Sequence, residues 1–287
     1  MTFRDHGTGR DRRNEVVDVQ RVTPHLVRIT LAGEDLRDYV DNGGDQHVAV
    51  LFFGDEVIVP DPFTGAAMKR MRPYVRPRMR RYTIRRFEPE SRTLEIDVLV
   101  HDDDGPGTQW ASSVRVGDLV YWWGPTEAWH PDPGTEHVLL VGDETALPAI
   151  EAIVRETAAR IRVSVVAEVT GAQDEPYLAE VAHSAEITWV HRDADPSTAL
   201  ARFLEAVRSL PPATSTTQVW GATEYRTVQA LRRHFHADLG LDRQRAFLVT
   251  YWTRGQPQDE RAERRDEEIT TRNRLHNPDD AAEFLRR

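Results

Sequence analysis

The sequence predicts an antiparallel β-barrel of six strands, followed by a parallel-sheet α/β domain and a charged C-terminal extension. Six short strand-like segments with brief turns come first, and apolar strands then alternate with amphipathic helices. The chain has 287 residues, of which 39% are hydrophobic and 29% charged. This length and composition are typical of a soluble protein with two domains.

The predicted barrel spans residues 15–134 and contains no long helix. VVDVQRVTPHLVRITLAG forms two strands around a Thr-Pro-His turn, and QHVAVLFFG forms the third. RRYTIRRF and TLEIDVLV alternate in polarity on either side of EPESR, which predicts a hairpin, and LVYWWG is the sixth strand. We expect a loose arm at residues 1–14 and, because of four prolines, a long loop at residues 55–79. Short strands with short turns favour a small closed barrel.

The second predicted domain spans residues 135–255, where strands and helices alternate. HVLLVG, IRVSVVAEVT, EITWVH, TQVWGA and RAFLVTYW are the strands, and the helices are ALPAIEAIVRETAAR, STALARFLEAVRSL and EYRTVQALRRHFHADLG. This alternation predicts a parallel sheet covered on both faces. Residues 256–287 contain 16 charged side chains among 32, which indicates a solvated extension.

Composition excludes several classes of function. The chain has no cysteine, so disulfides, thiolate nucleophiles and cysteine-ligated iron–sulfur clusters are excluded. A net charge of -10 argues against nucleic-acid binding. No secretory signal or bilayer-length apolar run is present, so we expect a cytoplasmic protein without membrane insertion. The absence of HExxH and GxSxG patterns argues against a protein-ligated metal and a Ser-His-Asp enzyme, respectively. We also expect a monomer.

Positive charge is concentrated in one stretch of this acidic chain. Residues 69–86 contain nine Lys or Arg and no carboxylate. Strict strand alternation places Arg80, Tyr82 and Ile84 on one face of this segment, with the intervening Arg81, Thr83 and Arg85 on the other. The stretch predicts either an anion-binding surface or solvated charge that balances an acidic body.

Ligands of a parallel sheet bind beyond the carboxyl ends of its strands. GDETALP, EVTGAQ, WGATE and YWTRG occupy these ends here. Asp143 or Thr145 in the first turn either borders a ligand or merely caps the following helix. In HDDDGPGTQWA, the Gly-Pro-Gly run and Thr108 precede a short helix, which predicts either close approach to an anion or a plain turn.

Five motifs occur in the order typical of a known family. RRYTIR resembles the Arg-x-Tyr-Ser/Thr flavin signature of ferredoxin-reductase-like oxidoreductases. HDDDGPGTQWA, GDETALPAI, WGATEYRTVQALRRHF and YWTRG resemble blocks of one branch, the siderophore-interacting proteins or FAD-dependent ferric-siderophore reductases. The resemblance covers residues 16–255. Gly107 stands where that family usually has Ala, and WGATE replaces a commoner Ala-Gly-Glu pattern.

The resemblance implies FAD on the barrel and NADPH or NADH on a Rossmann-like second domain. Tyr82, Thr83 and Trp252 would border the flavin ring and act in catalysis. The residues implied to bind cofactor are Arg80, Tyr82, Thr83, Arg85, His101, Gly105, Pro106, Gly107, Thr108, Asp143, Glu144, Thr145, Ala146, Trp220, Gly221, Ala222, Glu224 and Trp252. Lys69 and Arg254 would attract an anionic ferric siderophore.

The implied activity is NAD(P)H-dependent reduction of siderophore-bound Fe(III) to Fe(II), with iron release in the cytoplasm. Nicotinamide delivers two electrons together whereas iron accepts one, which explains the need for a flavin. Two alternatives stay open on the sequence. One is a general flavin or ferredoxin-type reductase with another acceptor, and the other is a protein that binds ferric chelates without catalysis.

Overall fold

The structure is a computed structural model. The structure describes residues 10–41, 43–54, 56–61, 63–72, 75–100, 105–125, 129–192 and 197–255, apart from the side chains of Arg10 and Lys69. His101 and the charged extension therefore lie outside the described residues.

The N-terminal half forms a closed antiparallel barrel, as predicted. Neighbouring strands follow the order β1-β2-β5-β4-β3-β6. The strands are β1 (Arg10–Arg21), β2 (Leu26–Ala32), β3 (His47–Phe52), β4 (Arg78–Glu88), β5 (Thr93–Leu99) and β6 (Leu119–Gly124). Apolar side chains that alternate along these strands, such as Ile29, Leu31, Leu94 and Ile96, fill the barrel interior. Burial of this face stabilises the closed form.

Two predictions for this half were wrong in detail. Residues 10–14 belong to β1, because they pair with β6 from Arg10 opposite Gly124 to Asn14 opposite Val120. Within the predicted loop at 55–79, a short helix α1 (Gly65–Arg70) forms, and the Thr64 side chain accepts a hydrogen bond from the Ala67 backbone N–H. A capping threonine before small residues explains this helix.

The β4 strand departs from strict alternation. Its register with β5 shifts between Ile84 and Arg86, so that Arg85 is an extra residue at a bulge. Thr83, Ile84 and Arg85 are consecutively buried, whereas Arg81 is exposed. The register with β3 is unbroken from Arg78 to Thr83, so the predicted alternation of Arg81 and Thr83 against Arg80 and Tyr82 holds there and fails only for Arg85 at the bulge.

The second half forms a five-stranded parallel sheet of order β11-β10-β7-β8-β9. Its strands are β7 (His137–Asp143), β8 (Arg162–Val169), β9 (Glu186–His191), β10 (Thr217–Glu224) and β11 (Ala246–Trp252). Helices α3 (Leu147–Thr157), α4 (Ala199–Arg208) and α5 (Tyr225–Arg232) cover it, and a π-helical segment (Arg233–Asp238) continues α5. Apolar clusters lie on both faces of the sheet, as expected for parallel strands.

The two halves pack directly against each other. Leu26 of the barrel is buried within the apolar cluster of the sheet. Gly44, in the loop before β3, donates its backbone N–H to Glu156 of α3 at 2.7 Å. A Cβ at Gly44 would overlap Ile153 of the same helix, so the loop approaches α3 as closely as a backbone can. None of the helices in the described residues has the length and hydropathy needed to cross a membrane.

Candidate functional site at the junction of the barrel and the sheet

One surface of the site is formed by β4 and helix α2 (Pro106–Ser113). Arg80 and Tyr82 lie on β4, and the Tyr82 ring lies 6.2 Å from the Trp110 ring of α2. A Cβ at Gly107 would overlap the Tyr82 hydroxyl, so a larger residue here would displace the Tyr82 side chain. The predicted residues of RRYTIR and of the Gly-Pro-Gly segment thus come together.

This surface has the donor chemistry that a diphosphate requires. Helix α2 begins with Pro106, has no acidic residue in its first turn and receives no side-chain cap. Backbone N–H groups at a helix N-terminus favour negative charge, and the guanidinium of Arg80 adds a positive charge on the neighbouring strand. The residues present therefore fit the phosphate-bearing part of a dinucleotide such as FAD.

A second surface lies at the carboxyl ends of β7 and β11, around the Asp143 carboxylate. Asp143 Oδ2 accepts hydrogen bonds from Trp252 Nε1 at 2.8 Å and from Thr223 Oγ1 at 2.7 Å. Its Oδ1 accepts from the Thr145 backbone N–H at 3.0 Å. Asp143 thus caps the turn before α3 and also fixes the orientation of the Trp252 indole. The sequence left open whether this turn borders a ligand or caps the following helix, and the structure shows the cap.

Glu224 and Arg254 lie together at the next strand end. The Glu224 carboxylate accepts from the backbone N–H of Arg226 at 2.6 Å, which caps α5. The same carboxylate accepts from the Arg254 backbone N–H at 3.3 Å, while Arg254 itself is exposed. Lys69 lies in α1 of the barrel. Glu224 therefore orders the chain segment on which the Arg254 side chain is presented.

The two surfaces meet where Thr83 contacts Tyr251. Thr83 is buried on β4, and its side chain acts to lower the pKa of the Tyr251 hydroxyl on β11. Tyr251 Oη donates to Asp45 Oδ1 at 2.9 Å, and Trp220 Nε1 donates to Asp45 Oδ2 at 2.9 Å. Burial raises the pKa of Asp45 to about 6, although both hydrogen bonds act to lower it. Burial also raises the pKa of Tyr251 well above its ordinary value.

Arg85 takes part in a different contact between the halves. Its guanidinium binds Glu151 of α3 through two hydrogen bonds of 2.6 Å and also contacts Glu95, Asp97 and Glu180. Burial alone would lower the pKa of Arg85, but the hydrogen bonds and charge of Glu151 more than offset burial and raise it. The structure thus directs this guanidinium to carboxylates, and a role for it at the flavin stays a prediction.

His25, Glu144 and Asp174 form a group whose potential metal-ligand atoms lie within 4.8 Å of one another. Each already has a protein partner. His25 Nδ1 lies 3.0 Å from both oxygens of Asp174, and Glu144 is paired with Arg192 and accepts from the Thr170 backbone N–H. These contacts satisfy the hydrogen-bonding atoms of His25, Glu144 and Asp174 without an ion. The group therefore links the two halves of the chain, and we assign no metal to it.

Comparison with known proteins agrees with the motif order. Residues 15–129 match the siderophore-interacting FAD-binding domain, and residues 135–255 match the siderophore-interacting protein family. A solved siderophore utilization protein from T. fusca is 33% identical, with a TM-score of 0.73, and the alignment covers 87% of this chain and 95% of that one. The chain belongs to the siderophore-interacting protein family.

Two further proteins are similar to this chain over most of their length. The siderophore-interacting protein SipS from Aeromonas hydrophila is 30% identical, with a TM-score of 0.75, and the alignment covers 91% of this chain and 99% of that one. A curated ferric vibriobactin reductase from Vibrio cholerae is 27% identical over 250 residues, which are 83% of this chain and 88% of that protein. The similarity thus extends through both halves.

Sequence reasoning missed two parts of this siderophore-interacting protein. Asp45 lies in GGDQHV, where a polar triplet precedes an apolar strand, and only its distance to Tyr251 and Trp220 reveals its position. The bulge at Arg85 is likewise invisible in the residue pattern. His101 cannot be placed, because it lies outside the described residues.

Proposed function

We propose that this protein uses FAD and NADPH or NADH to reduce Fe(III) in an anionic siderophore to Fe(II), releasing iron in the cytoplasm. The observation that carries the proposal is the contact of Tyr251 and Trp220 of the sheet with Asp45 of the barrel, each at 2.9 Å, which joins the barrel that carries the diphosphate-compatible surface to the sheet. In this proposal, residues 15–134 bind FAD, residues 135–255 bind the nicotinamide donor, and the protein acts as a monomer.

The barrel residues would hold and orient the flavin. Arg80 and the N-terminus of α2 would bind its diphosphate, with Gly105, Pro106, Gly107 and Thr108 close to it. Tyr82 and Thr83 would border the ring, and the Asp143-fixed Trp252 would cover it from the sheet side. When bound, FAD supplies the conversion from a two-electron donor to a one-electron acceptor.

The sheet residues would receive the nicotinamide donor at the carboxyl end of β7 and β10, where parallel sheets bind nucleotides. Thr145 and Ala146 begin the turn after β7, and Trp220 with Glu224 belongs to β10. The Asp143 carboxylate would orient this turn and Trp252 because four donors already occupy it. Fe(III) prefers anionic oxygen ligands, and such ligands hold Fe(II) far less tightly, so reduction would release iron.

The central test supplies the purified protein with FAD, a nicotinamide donor and a ferric siderophore under anaerobic conditions, and a strong Fe(II) chelator reports the product. We expect Fe(II) to form only when protein and donor are both present. Oxidation of the donor without Fe(II) formation would favour a general flavin reductase. Failure to retain FAD would favour a ferric-chelate binding protein. Parallel runs with NADH and NADPH identify the donor.

Arg80→Ala should weaken FAD binding roughly tenfold or more, because a charge-assisted bond to phosphate is worth about 1.5–3 kcal/mol. Arg81→Ala is the matched control, since Arg81 is the next residue of β4 and is exposed. Fluorescence titration of the flavin-free proteins measures both affinities. Equal affinity in the two variants would remove Arg80 from the FAD site.

Lys69→Ala and Arg254→Ala should each raise the KM for an anionic ferric siderophore about two- to tenfold, while FAD stays bound. The effect should shrink as salt is added, because it is electrostatic. Arg243→Ala is the control, since Arg243 is exposed before the start of β11, at the opposite end of that strand from Arg254. A KM that is unchanged in both variants would leave these residues as ordinary surface charge.

A further inference from the structure

The side chains of Thr83, Tyr251 and Asp45 form a chain of polar contacts that begins at Thr83 on β4. Thr83 lies beside the Tyr251 hydroxyl, whose pKa its side chain acts to lower, and Tyr251 Oη donates to Asp45 Oδ1 at 2.9 Å. Hydroxyl and carboxyl oxygens can both accept and release a proton, so each link can transmit one. Trp220 also binds Asp45 but only donates, so it holds the carboxylate in place without extending the chain.

We propose that Thr83, Tyr251 and Asp45 form a proton path, with Asp45 as the acceptor of the proton released when the flavin is reoxidised. This inference rests on the proposed function. Two Fe(III) ions would each take one electron from the reduced flavin, and the one proton that the flavin releases would pass to Thr83 Oγ1. Thr83 passes its own proton to Tyr251 Oη, and Tyr251 passes its own to the Asp45 carboxylate. Both hydroxyls end as they began, so only Asp45 changes its protonation state.

The surroundings of Asp45 suit a proton acceptor. Burial raises the pKa of Asp45 to about 6, against the opposing effect of its two hydrogen bonds. His47 on β3 is the nearest histidine in sequence, and burial together with the charge of Arg81 on β4 lowers its pKa to about 4, so His47 is neutral where Asp45 titrates. From α3, Glu156 binds the adjacent Gly44, and from β7 the charge of Asp143 acts on Tyr251.

The fold holds Asp45 in an unusual backbone conformation. Its φ of 67° lies in the left-handed region, which aspartate tolerates better than most residues. The next residues run directly into β3, where His47 pairs with Thr83 of β4. The strand register therefore keeps Asp45 close to the buried hydroxyl of Thr83, while Tyr251 from the other half of the chain completes the path.

The test measures the midpoint potential of the bound flavin as a function of pH, by spectroelectrochemistry, for Asp45→Asn, Tyr251→Phe and Glu156→Gln. A carboxyl group that takes up a proton when the flavin changes redox state alters the slope of this curve near its pKa. We expect a change of slope near pH 6 in the wild type and in Glu156→Gln, whose carboxylate lies on the same boundary but outside the path. Asp45→Asn should lack it, and Tyr251→Phe should shift it to higher pH.

Flavin reoxidation by a ferric siderophore at neutral pH should slow roughly tenfold or more in both path variants, as expected when a positioned acid–base group is lost. FAD affinity is measured first for every protein. If the wild type does not bind FAD, the proposed function fails and this inference fails with it. If the wild type binds FAD and reduces iron, but Asp45→Asn keeps the wild-type slope change, the inference alone is overturned.

Discussion

The boundary between barrel and sheet is built in two contrasting ways. Around Arg85, charged groups from both halves are paired, and Arg28 and Tyr177 extend the network through the buried Asp97 carboxylate. Around Asp45, the partners of the carboxylate are the uncharged side chains of Tyr251 and Trp220, and Thr83 lies beside Tyr251. Both regions use strand β4, only two residues apart at Thr83 and Arg85.

The difference separates a structural connection from a region that can exchange protons. A buried ion pair holds its members in their charged forms, because removal of either charge leaves the other uncompensated. A buried carboxylate whose neighbours are neutral is held less firmly in its charged form, and its pKa rises. The Arg85 network therefore fixes the two halves together, whereas the Asp45 network keeps a group that titrates near physiological pH.

The largest expected loss of stability comes from disrupting the ion-pair network around Arg85. Arg85→Met keeps much of the side-chain volume but leaves the buried Glu151 with Arg155 as its remaining cationic partner. We expect the free energy of unfolding to fall by about 3 kcal/mol, as when one partner of a buried pair is removed. Urea denaturation measures this loss.

Glu34→Ala is the control for Arg85→Met, because Glu34 pairs with Arg37 at the protein surface. The urea midpoint of this variant should stay close to that of the wild type, as expected for an exposed pair. Equal midpoints for Arg85→Met and Glu34→Ala would mean that the buried network does not hold the halves together.

A smaller effect on the free energy of unfolding, and one that depends on pH, is expected around Asp45, where the hydrogen-bond partners are uncharged. The pKa of Asp45 is raised in the folded protein from 3.8 to about 6, so its contribution favours folding at low pH and is lost as pH rises through 6. The stability of the wild type minus that of Asp45→Asn should therefore fall between about pH 4 and pH 6, by roughly 2–3 kcal/mol.

Denaturation of both proteins at several pH values measures this difference, and subtraction removes the titration of carboxylates that the two share. The lowered pKa of His47 acts in the opposite direction, since its contribution is lost as pH falls from 6.5 towards 4. A difference that stays constant with pH would show that Asp45 is not perturbed by burial.

Tyr251→Phe should have the smallest effect on stability. It removes one hydroxyl and its bond to Asp45 while the ring stays in place. A loss of about 1 kcal/mol in the free energy of unfolding is expected for one neutral hydrogen-bond donor, again by urea denaturation. A loss of stability as large as that of Arg85→Met would mean that the hydrogen bonds around Asp45 also hold the halves together. The difference between the Arg85 network and the Asp45 network would then not exist.

Much of the fold followed from residue periodicity. Alternation in TLEIDVL and the continuous apolar run HVLLVG predicted the half-buried barrel strand β5 and the fully buried strand β7. Periodicity failed at the bulge of Arg85, because one inserted residue changes which side chains face the second half and leaves no compositional trace. The division near residue 134 stays a prediction, and it falls between the end of β6 and the start of β7.

The site was predictable where motifs are local and not where contacts are distant. The Arg-Tyr-Thr spacing placed Arg80 and Tyr82 near the Gly-Pro-Gly helix start, and the structure brings Gly107 against Tyr82. Asp45 and Tyr251 are separated by 206 positions in the chain, so only the packed structure shows their hydrogen bond. The two regions of the boundary thus depend on tertiary contacts that no single segment encodes.

The most direct test of the account is anaerobic stopped-flow mixing of the FAD-loaded, reduced protein with a ferric siderophore. We predict that flavin absorbance returns as Fe(II) forms, with about two Fe(II) per flavin because iron accepts one electron at a time. A flavin that stays reduced in the presence of ferric siderophores, yet is reoxidised by other acceptors, would contradict the central claim.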